Sequence, residues 1–222
     1  MSIETLLEVL SLLSKATFET VIMTLASAVL SSVLGFPLGV YLYVSSPEGI
    51  SSQRIAYNVV SRIVNIFRSI PFIILMILLI PFTRFIVKTS IGPAAVIIPL
   101  SIAAAPFVAR VVESALAEVD KGVITAARAM GASNFQIIFK VLIPEAMPAL
   151  VSGLALTIIN LISYSAMAGA LGGGGLGDLA IRYGYYRFRV DVTIAAVIII
   201  LLLVEAVQIT GTLISRKLLA RR

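Results

Sequence analysis

Five stretches of this chain are long, apolar and almost free of charge, and that pattern restricts its fold more than any other feature. Lipid offers no water to pair with exposed N–H and C=O groups, so a spanning segment must be a helix or part of a closed barrel. About 20 apolar residues, at about 1.5 Å each, cover roughly 30 Å of hydrocarbon. The windows fall at 20–47, 63–83, 89–109, 146–177 and 192–214. Apolar residues make up 59% of the 222 residues and charged residues 13%, with a mean hydropathy of +1.08. Soluble domains hold about 45–50% and about 25%. Disorder, a DNA-binding domain and an ordinary soluble enzyme are therefore excluded. The expected fold is all-α and transmembrane, one five-helix domain over 1–222.

The windows carry their own irregularities. Gly35-Phe-Pro-Leu-Gly39 sits late in the first. Pro37 is expected to kink that helix, and the glycine pair to admit a close neighbour. Leu6, Leu7, Leu10 and Leu13 make 1–15 an amphipathic lead-in, and with Glu4 and Glu8 it lacks the basic start of a signal peptide. The second window is the weakest, because Arg68 interrupts it. A buried Arg costs at least ~2.5–3.5 kcal/mol, so Arg68 is expected to snorkel to the interface or pair inside the bundle. Pro93, Pro99 and Pro106 punctuate the third. The fourth is too long for one straight crossing, so its helix is expected over 146–168, followed by a turn containing six glycines between Gly169 and Gly177. Glu205 lies inside the fifth, and an intramembrane carboxylate is a functional candidate by default.

Five crossings put the termini on opposite sides. The net charge is +6, and the basic tail Arg216, Lys217, Arg221, Arg222 favours a cytoplasmic C-terminus. That orientation places eleven basic residues inside and six outside. The N-terminus is then outside.

The longest polar segment lies between spans three and four, over 118–140, on the expected cytoplasmic side. Asp120 is placed to N-cap a helix starting at Lys121, and Val123, Ala126, Ala127 and Met130 give it an apolar stripe. Gly131 supplies the stop. Ser133-Asn-Phe-Gln136 reads as a capping box opening a second helix with a stripe of Phe135, Ile138, Phe139 and Leu142, closed by Pro144. The expectation is a helix, a glycine turn and a helix. Its stripes suit a surface hairpin resting on the bundle; its small residues at the turn suit a cleft on another protein.

Negative findings narrow the chemistry. With no Cys and no His, thiolate metal sites, Cys nucleophiles and the commonest general base are excluded. No G-x-x-x-x-G-K-[ST] occurs. Gly172-Gly-Gly-Gly-Leu-Gly177 matches G-x-G-x-x-G in form, but that fingerprint needs a preceding strand, and a membrane helix precedes it here. Tyr183, Tyr185 and Tyr186, beside Arg182, Arg187 and Arg189, read as an outer aromatic belt or as a contact for an external protein.

Thr125-Ala-Ala-Arg-Ala-Met-Gly131, nine residues, then Val141-Leu-Ile-Pro144 resembles the E-A-A, three residues, G, nine residues, I-x-L-P signature of ABC-importer permeases. Thr125 departs from the motif Glu. Asn65-Ile-Phe-Arg-Ser-Ile-Pro-Phe-Ile-Ile74, Ile80-Pro-Phe-Thr-Arg84, Ala104-Ala-Pro-Phe-Val-Ala-Arg110 and Tyr164-Ser-Ala-Met167 extend the resemblance, over nearly the whole chain, to the methionine-importer permeases. The resemblance implies a homodimer in the bacterial inner membrane. It implies a cytoplasmic ABC ATPase dimer that binds ATP and Mg, with no cofactor in this chain, and an extracytoplasmic methionine-binding lipoprotein. Lipid surrounds the complex, and no nucleic acid is involved. It implies a coupling element comprising Lys121, Val123, Ile124, Ala126, Ala127, Met130, Gly131, Ala132 and Ser133, and a gate at Met167 with Tyr164 and Ser165. Arg68 and Glu205 stay as intramembrane polar candidates. The competing expectations are an importer for another amino acid, a proton-coupled carrier using Glu205, and a membrane assembly protein whose loop recruits a soluble partner.

Overall fold

The computed structural model describes residues 3–220, with side chains from residue 9 onward. The side chains of Glu4, Leu6, Leu7 and Glu8 of the lead-in, and residues Arg221 and Arg222 of the tail, lie outside that description. Among the described residues the chain is helical and contains no strand.

The first helix, α1 (Ile3–Ser45), takes in both the lead-in and the first span and continues through Pro37. At 1.5 Å per residue its 43 residues reach about 64 Å, well beyond the hydrocarbon. The second passage is broken. Helices α2 (Arg54–Ser69) and α3 (Phe72–Val87) meet at 102°, so the passage expected over 63–83 is a bent pair of helices and not one straight helix. The cause is local: Pro71 has no N–H to donate, and the residue before it is pushed to an extended conformation. Ile70 adopts φ −78°, ψ 123°. Helix α4 (Pro93–Ala117) starts with Pro93 in its first turn and runs past the expected end at 109.

After α4 come α5 (Lys121–Ala129) and the short α6 (Asn134–Ile137). A π-type turn over Ile138–Leu142 joins α6 directly to α7 (Ile143–Gly169). Pro144 therefore does not close the second loop helix. It sits in the first turn of α7, where a missing N–H is tolerated, and the fourth span begins at the loop. The glycine-rich segment leads to a buried α8 (Gly175–Leu179), and α9 (Val190–Leu219) makes the last passage.

The bundle is organised on the pairing of α1 with α4. Thr20, Thr24, Ser27 and Ser31 are all buried along one side of α1, and Gly35 and Gly39 continue that side. A Cβ on Gly35 would sit 2.5 Å from the Ala105 carbonyl oxygen, and one on Gly39 2.5 Å from that of Ala109. The backbones meet here because neither glycine has a side chain to hold them apart. Ser27 adds a hydroxyl hydrogen bond to the Ile97 carbonyl at 3.3 Å. Around this pair lie α7, with Met23, Leu100, Ala104 and Leu161 in one cluster, and α9, with Leu13, Ala16, Val192 and Ala196 in another.

Arg110 holds α2 against α4. Its guanidinium donates to Ser61 Oγ at 2.6 Å, to Asn65 Oδ1 at 2.9 Å and to Glu113 at 2.6 Å. Forcing a methyl group into a filled helix contact costs about 1–3 kcal/mol. Gly35→Ala is therefore expected to lower the thermal midpoint of the detergent-solubilised protein by roughly 2–10 °C. Val29→Ala, on the exposed side of α1, is expected to leave it within about 1 °C. Equal midpoints for the two variants would remove the seam from its central place.

Candidate functional site

Two ends of the bundle differ in chemistry. At one end the loops 46–53 and 118–134 meet; at the other, the starts of α4 and α9 meet the glycine-rich segment.

At the first end, local chemistry builds α5 as the sequence expects. Asp120 Oδ1 accepts from Gly122 N–H at 2.6 Å. Gly131 takes φ +82°, the left-handed conformation that glycine enters without strain. Ser133 and Gln136 complete the capping box reciprocally. The packing departs from expectation. Ile124 and Ala127 are the buried residues of α5, in a cluster with Val112 and Leu116 of α4, Ala146 of α7 and Tyr43 of α1. They hold the helix to its own chain and lie on its inner face. Val123, Ala126 and Met130 are exposed, Met130 at 82%. The second stripe splits in the same way. Ile137 and Leu142 are buried, whereas Phe135 and Phe139 are exposed and lie against each other with ring centres 4.5 Å apart. Val123, Met130, Phe135 and Phe139 thus leave apolar side chains exposed on an otherwise polar end.

Lys121 is engaged within the chain. Its Nζ lies 2.5 Å from Glu48 in the loop after α1. Arg128 donates to the Ile50 carbonyl of the same loop at 2.7 Å. The Lys121 ammonium holds the Glu48 carboxyl below its ordinary range, and Glu48 raises the Lys121 ammonium above its own. Both residues are fully exposed, so the pair orients more than it stabilises. It is fully formed at neutral pH, lost as pH falls through the lowered Glu48 value and lost again as pH rises through the raised Lys121 value. Ala132 is half-buried against the α5 cluster.

At the opposite end, α1 holds the glycine-rich segment. Glu19 accepts from Gly175 N–H and Thr20 Oγ1 from Leu176 N–H, both at 2.9 Å. Gly92 N–H donates to the Gly172 carbonyl at 2.9 Å. Asp178, buried, pairs with Arg182. Gly169 and Gly177 let α8 press on the end of α7: a Cβ at either would strike backbone atoms of the other strand of the turn. The segment is a packed plug, and nothing local to it signals that Glu19 and Thr20 cap it from more than 150 residues away.

The three residues expected at a gate separate. Met167 is 43% exposed near the end of α7. Tyr164 is half-buried and stacks on Phe72 of α3, with ring centres 4.9 Å apart and nearly parallel. Ser165 is buried and donates to the Ile162 carbonyl of its own helix, so it does not line a surface. Arg68 is exposed in the last turn of α2, beside the break at Ile70 and Pro71. Glu205 is exposed midway along α9. Arg110 enters the sequence reading only as the end of a family segment; its tertiary role went unread, although Glu113 three residues on was an available signal.

Comparison with known proteins agrees with this geometry. The family described as binding-protein-dependent transport system inner membrane component matches residues 35–220. A probable D-methionine transport system permease of Vibrio cholerae is 45% identical over 206 residues, covering 93% of this chain and 92% of that protein. A methionine import system permease of Bacillus subtilis is 52% identical over 200 residues, covering 90% of each. The solved inward-facing MetNI methionine ABC transporter contains a chain that superposes with a TM-score of 0.94 at 48% identity, covering 98% of this chain and 99% of that one. An amino acid ABC transporter crystallised with histidines shares the fold, with a TM-score of 0.79 at 19% identity.

Removing a capping side chain costs about 1 kcal/mol. Asp120→Ala and Ser133→Ala are each expected to speed amide exchange across 121–133 roughly fivefold while leaving α4 and α7 unchanged. Uniform acceleration through the bundle would show that the caps do not act locally.

Proposed function

As the chain belongs to the family of binding-protein-dependent transport system inner membrane components, we propose that it is the membrane-spanning subunit of an ATP-driven methionine importer. Two copies enclose the path. A cytoplasmic ATPase subunit docks on each, and an extracytoplasmic binding protein delivers the substrate. ATP and Mg²⁺ belong to the ATPase. The N-terminus is outside and the C-terminus is cytoplasmic, which puts α5 and the basic residues around it inside.

The observation that carries this reading is the exposed apolar surface of Val123, Met130, Phe135 and Phe139 on a segment built into the bundle from behind. A push on that surface acts on Ile124 and Ala127, which pack on α1, α4 and the start of α7. The unbroken helical run from 134 to 169 then links the docking surface to Met167 at the far end. The π-type turn at Ile138–Leu142 is a natural flexing point in that lever. Met167 acts as a movable plug, a task suited to a flexible thioether. Val123, Ala126, Met130 and Gly131 make the ATPase contact, and Lys121, Ala132 and Ser133 shape the loop that presents them.

Met130→Asp places a charge on an apolar contact without touching the buried side of α5. It is expected to abolish co-purification of the ATPase in mild detergent and to cut ATP-dependent uptake of labelled methionine at least tenfold, with membrane insertion intact. Uptake at the wild-type rate would overturn the docking assignment. Competition by unlabelled L-methionine, D-methionine and other amino acids identifies the substrate. Met167→Ala is expected to raise the ATP hydrolysed per methionine transported severalfold; an unchanged ratio would remove the gate role.

A further inference from the structure

Two stripes on adjoining helices carry polar side chains, of which the Ser163 and Thr212 hydroxyls bond within their own helices. On α7, Asn160, Ser163 and Met167 recur at intervals of three and four, which places them on one side of the helix. That side is not packed: Ser163 and Met167 are exposed and Asn160 is half-buried. On α9, Glu205, Gln208 and Thr212 recur at the same intervals; Glu205 and Gln208 are exposed and Thr212 is half-buried. The outer part of that α9 side is apolar, with Ile194, Ile198 and Leu201 exposed. It turns polar from the middle of the helix inward.

The two stripes face the same way. Helices α7 and α9 run antiparallel and touch where Gly211 meets Ala155 and where Ser215 donates to the Pro148 carbonyl at 2.9 Å. An apolar cavity of about 370 Å³ lies between this pair and α1, lined by Ile158 and Ile162 of α7 and Val207 and Thr210 of α9. Helical spacing turns both polar stripes away from that cavity, to the opposite side of the pair. The exposed side of α1 makes the contrast: Phe18, Ile22, Leu25, Val29 and Val33 are uniformly apolar, as a lipid-facing surface must be. An amide and a carboxylate at membrane depth face water or a polar partner, because lipid leaves them unsolvated.

We propose that this side of α7 and α9 is the wetted wall of the translocation path, and that Glu205 and Asn160 are its contacts for the polar groups of an amino acid. Glu205 is an acceptor for the substrate ammonium, a charge-assisted bond stronger than a neutral one. Asn160 offers two N–H donors to the carboxylate and an oxygen to the ammonium. Met167, on the same stripe nearer the outer end, closes the path above them. This inference rests on the importer reading and deepens it, since it assigns the substrate contacts to residues that the resemblance leaves without a role.

The chain contains no cysteine, so single cysteines introduced here report without background from this subunit. N160C, E205C, V29C and V33C are each assembled with the ATPase in lipid vesicles and exposed to a membrane-impermeant cationic thiosulfonate. N160C and E205C are expected to react at least tenfold faster than V29C and V33C. Their rates are expected to change at least threefold between nucleotide-free and ATP–vanadate-trapped complexes. Glu205→Gln is expected to raise the KM for methionine about tenfold with a smaller effect on the maximal rate. Reaction at the rate of the α1 positions, in vesicles whose unsubstituted protein transports methionine, overturns the wall assignment and leaves the importer reading in place. An unaltered KM in Glu205→Gln overturns the substrate contact. Vesicles of the unsubstituted protein that take up no methionine, with ATPase, ATP and binding protein supplied, overturn the importer reading and this inference with it.

Discussion

The backbone contact between α1 and α4 is the constraint on which the rest of the arrangement depends. In lipid, apolar side chains gain little by leaving one another for a neighbouring helix, so association relies on close packing and hydrogen bonds. The small residues from Thr20 to Gly39 supply both, with carbonyls of α4 approaching Gly35 and Gly39 and Ser27 bonded to Ile97. Arg110 of α4 fastens α2 to that helix by three hydrogen bonds, to the Ser61 carbonyl, Ser61 Oγ and Asn65 Oδ1, and pairs with Glu113 on its own helix. The opposite charge and these acceptors offset the cost of partly burying the guanidinium.

From this seam α1 reaches both functional ends. Its C-terminal end contributes Tyr43 to the cluster under α5, and the loop beyond it contributes Glu48 and the Ile50 carbonyl to α5 itself. Its other end contributes Glu19 and Thr20 to the cap of α8. Helix α7 makes a second connection between the same ends. Two long helices therefore run from the α5 end to the glycine-rich segment. The seam of α1 and α4 is tightly packed, whereas the polar stripes of α7 and α9 are largely exposed.

The parts legible in the sequence were those governed by neighbours in the chain. Asp120, Gly131, Ser133 and Gln136 act within four residues of the groups they satisfy, so their roles follow from spacing. The glycine pair at 35 and 39 announced a close approach for the same reason. The break at Ile70 and Pro71 was also written locally, but the apolar run across it masked it. Periodicity identifies the stripes of the 120–142 segment without saying which face meets the protein's own core. Ile124 and Ala127 pack inward, and Met130, Phe135 and Phe139 stay exposed. Ser165 belongs to the same family segment as Met167, but two residues on a helix point roughly 160° apart, and it is buried.

The sequence by itself determined a helical membrane protein, because unpaired backbone is intolerable in lipid and the apolar windows are long enough to cross. It also determined the caps and the turn of the segment over 120–136, which are short-range hydrogen-bond chemistry. Only the tertiary structure decided which helix α1 presses against, that Glu19 caps a turn more than 150 residues away, and that the stripes of Asn160 and Glu205 share one side. Those outcomes depend on the relative rotation of packed helices, a quantity set by side-chain volume across an interface and absent from any single segment.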